Sequence, residues 1–102
     1  MFLKNTWYVA ASSAEVQDKP LGRTICGEPM VFYRGDGDKV SALEDFCPHR
    51  GAPLSLGFVR EGQLVCGYHG LEMGCDGKTV AMPGQRVRGF PAIRSFAVVE
   101  RY

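Results

Sequence analysis

Phe46-Cys47-Pro48-His49-Arg50-Gly51-Ala52-Pro53-Leu54, read together with Cys66-Gly67-Tyr68-His69-Gly70, decides how this chain folds. Each segment pairs one cysteine with one histidine, and both histidines of the sequence fall in these two segments. Sixteen residues separate His49 from Cys66, and they include two short apolar runs, 58–60 and 63–66, on either side of Glu61-Gly62. A tight turn between strand-like runs is a hairpin signal. Such a hairpin would bring its two flanking loops side by side, so a site clamped between loop tips is the expectation.

The same punctuation continues outward. Residues 7–11 and 22–26 read as strands, and 29–34 runs apolar or aromatic into Gly35-Asp36-Gly37-Asp38, with 40–44 as the return strand. Downstream, Asp76-Gly77 precedes a strand at 79–82, and 94–101 reads as a closing strand. Ser12-Ser13-Ala14-Glu15 has the form of a helix capping box, but Pro20 stops the run after a turn or two. The fold is therefore expected to be mostly β, one domain over residues 1–102, with no repeats or linkers.

The ligand types in the two segments point to iron–sulfur chemistry. Cys-x-His followed by Cys-x-x-His offers two thiolates and two imidazoles: Cys47, His49, Cys66 and His69. That set suits a [2Fe–2S] cluster in which one iron takes both cysteines and the other both histidines. Two ferric ions and two sulfides form a core of charge +2, which two thiolates neutralise, whereas four would leave a dianion. An electron enters the neutral site more readily, so the potential lies above that of an all-cysteine cluster. Gly51, Gly67 and Gly70 are expected to let backbone N–H groups approach the cluster sulfurs, and Pro48 and Pro53 to stiffen the first loop. A structural zinc site and a chance placement of two buried cysteines and two surface histidines stay open as alternatives. Cys26 reads as a small buried residue at a strand end and Cys75 as a turn residue, neither a ligand.

Composition narrows the function classes. A chain of 102 residues with 45% hydrophobic and 23% charged residues has enough apolar surface for one core without a metal to hold it together. A net charge of +1 supplies no field for nucleic acid or an anionic membrane. Lys4 and Asn5 interrupt the place where a signal peptide would run apolar, and no window reaches the ~18 apolar residues of a membrane span. A cytoplasmic location is expected, with cysteines kept reduced and available for metal. Arg50, Arg60, Arg86, Arg88 and Arg94 could form a face for an acidic partner, although scattered arginines are ordinarily solvated surface.

On the two ligand segments the sequence resembles the Rieske non-haem iron oxygenases, from Lys4-Asn5-Thr6-Trp7-Tyr8-Val9 to the last residue. Lys19-Pro20-Leu21-Gly22-Arg23, Glu44-Asp45-Phe46-Cys47 continuing to Ser55-Leu56-Gly57, and Ala81-Met82-Pro83-Gly84-Gln85 look like oxygenase subunits of the vanillate O-demethylase type. The resemblance implies an all-β Rieske fold, an antiparallel β-sandwich with two cluster-binding loops at one end. It implies one Rieske [2Fe–2S] cluster passing single electrons to a mononuclear Fe(II), in a domain downstream of Tyr102, that activates O₂ for removal of a methoxy methyl group. It further implies a flavin and [2Fe–2S] reductase that uses NADH, and subunits in a homotrimer or other ring. There the second histidine ligand, here His69, faces an aspartate that bridges to the neighbour's mononuclear iron.

That iron needs two histidines and a carboxylate, and this chain has no histidine beyond the two assigned to the cluster. Oxygen chemistry therefore belongs to other residues. Respiratory Rieske proteins tie their loops with a disulfide and give the sulfurs hydroxyl hydrogen bonds; Ala52, Tyr68 and Leu71 stand at those positions here. A potential toward the lower end of the roughly −150 to +300 mV Rieske range is the expectation. Besides the oxygenase reading, a free-standing Rieske ferredoxin is the alternative, followed by a structural zinc module.

Overall fold

The computed structural model describes residues 15–48, 51–67, 70–82 and 92–98. In chain order the strands are β1 (Leu21–Ile25), β2 (Glu28–Arg34), β3 (Val40–Glu44), β4 (Phe58–Arg60), β5 (Gln63–Val65), β6 (Glu72–Met73), β7 (Thr79–Ala81) and β8 (Ser95–Phe96). Two 3₁₀ turns, Asp36–Asp38 and Leu54–Leu56, join them. β1-β2-β3-β8 form one antiparallel sheet and β4-β5-β6-β7 a second. This is the expected antiparallel sandwich.

The period of two along β2 divides the interior. Val31 and Tyr33 enter one buried cluster, with Leu43, Leu54, Leu64, Leu71, Met73, Met82 and Ile93. Phe32, between them, points to the opposite face and joins Val16 and Ala42, flanked by Leu21, Ile25, Met30, Val40, Phe96 and Val98. The first sheet thus buries side chains on both faces, and the cluster shared with the second sheet is the one that contains Cys47 and Cys66.

Turn chemistry fixes the register. Glu61 and Gly62 have φ of +52° and +77°, the left-handed pair a two-residue hairpin uses, with Arg60 opposite Gln63. Cys26 and Gly27, at φ +53° and +76°, make the same turn between Ile25 and Glu28. The strand expected at 22–26 therefore ends one residue early, because Cys26 is a turn residue. β7 likewise stops at Ala81 rather than 82, and β6, too short to register as a pattern, is an additional strand. Of the closing strand expected at 94–101, Ser95–Phe96 is paired with β3, and its last residues lie outside those described. The strand expected at 7–11 and the start of the capping box also lie outside them.

The segment 92–98 holds the two sheets together. The Ile93 N–H donates to the Gly77 carbonyl at 2.9 Å in the turn before β7, while Arg94 and Glu44 exchange bonds at the end of β3. A Cβ on Gly77, itself at φ +82°, would run into the Ile93 carbonyl. Arg94 reaches Glu28 at 2.9 Å and Glu44 at 3.8 Å, clasping the ends of β2 and β3.

Candidate metal centre

The first cysteine loop leaves β3 through Asp45, whose N–H donates to the Pro29 carbonyl at 3.1 Å. The Cys47 N–H then donates to the Ala52 carbonyl at 2.8 Å, and the Gly51 N–H returns to the Cys47 carbonyl at 2.7 Å. The second loop leaves β5 and repeats the pattern: Cys66 N–H to Leu71 carbonyl at 2.8 Å, Gly70 N–H to Cys66 carbonyl at 2.9 Å. Gly51 and Gly70 both adopt positive φ, +75° and +73°, which closes each loop back on its cysteine. A bulkier residue at position 51 would also press on the Phe46 ring, whose Cε1 lies 3.1 Å from a built Cβ.

The amides of Gly51 and Gly70 are committed to the cysteine carbonyls, so they act by closing the loops. Gly67 has a separate role: a Cβ there would lie 3.0 Å from the Leu56 carbonyl and 3.4 Å from the Gly57 Cα. The two loops therefore meet backbone to backbone, through the turn Leu54–Leu56.

Cys47 and Cys66 are each 1% exposed and belong to one apolar cluster with Leu54 and Leu71. None of the four cysteines is in a disulfide. Cys75 is exposed and Cys26 half-buried, each in a hairpin turn away from the two loops in sequence. His49 and His69, with Arg50 and Tyr68, fall inside the loops but outside the described residues. Of the arginines considered as a docking face, Arg60 is paired with Glu72 at 3.2 Å and stacked on Phe58, and Arg94 is paired with Glu28, so both serve the fold. Arg50, Arg86 and Arg88 lie outside the described residues.

Two side chains not assigned a role from sequence complete the first loop. Asp45 accepts the Ser55 N–H at Oδ1, 2.7 Å, and the Ser55 hydroxyl at Oδ2, 2.6 Å. No local sequence signal marks the pair, since its members stand ten residues apart. Phe46 and Leu56 flank the loops on the outside, 44% and 78% exposed.

Residues 6–97 match the Rieske [2Fe–2S] domain. The chain belongs to this family. The Rieske match extends to relatives and solved structures: the chain is 72% identical over 102 residues to the vanillate O-demethylase oxygenase subunit of Pseudomonas sp. (strain HR199 / DSM 7063), covering 100% of this chain and 29% of that protein. It is 51% identical over 104 residues to the oxygenase component of dicamba O-demethylase from Stenotrophomonas maltophilia, covering 98% and 30%. The crystal structure of dicamba monooxygenase bound to dicamba superimposes with a TM-score of 0.89 at 50% identity, covering 98% of this chain and 30% of that one. The chain thus spans about 30% of the length of these relatives.

A Rieske domain holds a [2Fe–2S] cluster, and the described residues fit one. Two buried thiols outside any disulfide lie in loops of one shape and in one apolar cluster. Burial keeps water from the sulfur side.

Proposed function

We propose that this chain is the electron-transfer portion of an oxygenase subunit, with Cys47 and Cys66 holding one iron of the cluster and His49 and His69 the other. The observation that carries this reading is the matched pair of loops around Cys47 and Cys66, each closed by a positive-φ glycine and both buried in one core. Histidine lies two residues after the first cysteine and three after the second, within the stretch each loop closes.

When bound, the cluster supplies a one-electron couple. The chain's own residues set its terms. Two thiolates deliver two negative charges into an apolar surround, and two neutral imidazoles leave the oxidised site uncharged. The carbonyl-bonded loops hold the donors in place, so little of the protein must move between redox states.

On the strength of the 72% and 51% identical relatives, the natural full-length chain is an O-demethylating monooxygenase subunit acting on a methoxylated aromatic acid of the vanillate kind. Electrons come from a flavin and [2Fe–2S] reductase that draws on NADH, and they leave for a mononuclear iron in a downstream domain. The full-length subunits form a homotrimer or similar ring in the cytoplasm. No helix of the described residues is long and apolar enough to cross a membrane.

Iron and acid-labile sulfide analysis, with electron paramagnetic resonance of the dithionite-reduced protein, tests the cofactor assignment. Equal iron and sulfide with a mixed nitrogen and sulfur [2Fe–2S] signal is expected; zinc without sulfide would reject it. NADH-dependent formaldehyde release from vanillate by the full-length chain with a reductase tests the activity.

A further inference from the structure

Three segments converge beside the first cysteine loop. Asp45, two residues before Cys47, holds Ser55 through both carboxylate oxygens, at 2.7 Å and 2.6 Å. Gly22 of β1 closes over the pair: a Cβ built there would stand 2.9 Å from the Ser55 Oγ, 3.0 Å from its Cβ and 3.5 Å from the Asp45 Oδ2. The Asp45 backbone is itself fixed to the Pro29 carbonyl on β2. Ser55 lies at the middle of the turn Leu54–Leu56, and the end of that turn abuts Gly67 in the second loop. Asp45 thus joins the stem of one cysteine loop to the spacer that touches the other.

We propose that Asp45 is a positioning residue for the cluster, fixing through Ser55 the separation of the Cys47 and Cys66 loops. The proposal rests on the reading of these loops as the cluster site. A doubly hydrogen-bonded carboxylate defines both the distance and the rotation of the turn it holds, which a single bond or an apolar contact does not. Without it, the turn keeps its internal backbone bonds, Leu56 N–H to Pro53 and Gly57 N–H to Leu54, and the packing of buried Leu54. The spacing of the thiols then varies from molecule to molecule.

The test compares Asp45→Asn with Asp45→Ala in the full-length chain. Both remove the same charge, so any purely electrostatic shift of the reduction potential is common to the two. Asparagine keeps an acceptor for the Ser55 amide and gains a donor for its hydroxyl, whereas alanine keeps neither. The expected result is a wild-type line width in the resonance spectrum of reduced Asp45→Asn. For Asp45→Ala a broadened spectrum and cluster loss about 10-fold faster or more are expected. Identical line width and loss rate in the two variants would overturn the proposal.

Should Asp45→Ala give no folded protein, Ser55→Thr against Ser55→Ala makes the decision, since threonine retains the hydroxyl. Threonine should match wild type and alanine should broaden; equal spectra overturn the proposal. A wild-type chain without a cluster would instead reject the functional reading.

Discussion

At the scale of single residues, the ligand set makes a directional statement about potential. In the proposed ligand set, exchanging His69 for cysteine replaces a neutral donor with an anion, so a cluster retained by His69→Cys should be reduced at a lower potential than wild type. Spectroelectrochemical titration checks this, and an unchanged potential in a cluster-bearing variant would remove His69 from the ligand set. Gly57 makes a different kind of statement. A Cβ there would collide with the Val65 carbonyl, a main-chain atom that has no freedom to give way. Gly57→Ala should cost about 2–3 kcal/mol or more. In a domain of this size that lowers the thermal midpoint by roughly 10 °C or more, measurable by circular dichroism.

Among elements, the turns explain both what the sequence revealed and what it hid. Glu61-Gly62 was legible because an acidic residue and glycine between two apolar runs leave little choice but a hairpin. Cys26-Gly27 was not, since cysteine carries no turn signal and the residue before it continues an apolar pattern; yet Cys26 sits at φ +53°. Asparagine tolerates that conformation better, so Cys26→Asn should stabilise the β1–β2 hairpin by about 0.5 kcal/mol, raising the thermal midpoint by roughly 2–4 °C. A lowered midpoint would mean the half-buried thiol contributes more by packing than the turn costs. β6 carries no sequence signal because two residues are too few to show a period.

The site followed the same division. Cysteine and histidine spacing announced the four candidate ligands, but the Asp45 and Ser55 pair depends on a fold that brings positions ten apart into contact. Arg94 illustrates the third case, a residue whose partners are set wholly by tertiary structure. The hydrogen bond to Glu28, with that acid's and Glu44's charges, raises its pKa above an already high ordinary value despite some opposing desolvation. A raised pKa stabilises the fold fully below the ordinary value and is lost only as pH climbs past it. The clasp is therefore constant across the neutral range.

For the molecule as a whole, the two buried clusters divide the labour. One contains both cysteines and spans the two sheets; the other, around Val16, Phe32 and Ala42, lies on the far face of the first sheet and contains none. Removing iron and sulfide should therefore loosen the molecule unevenly. Hydrogen exchange should quicken at the amides of β4–β7 while β1–β3 stay protected, because the second cluster still covers them. Uniform acceleration over both sheets would show instead that the interior is one cooperative unit.

The meeting of Leu56 and Gly57 with Gly67 has a further consequence. No side chain stands at the centre of that joint, so evolution has no dial there: each added carbon meets main chain, and the change is all or nothing. Gradual adjustment of how the domain handles electrons, or of what it docks against, is left to the ring of replaceable residues outside it, Phe46, Leu56 and Phe58 among them. Relatives acting on quite different molecules could thus share one unaltered joint and vary only the residues around it.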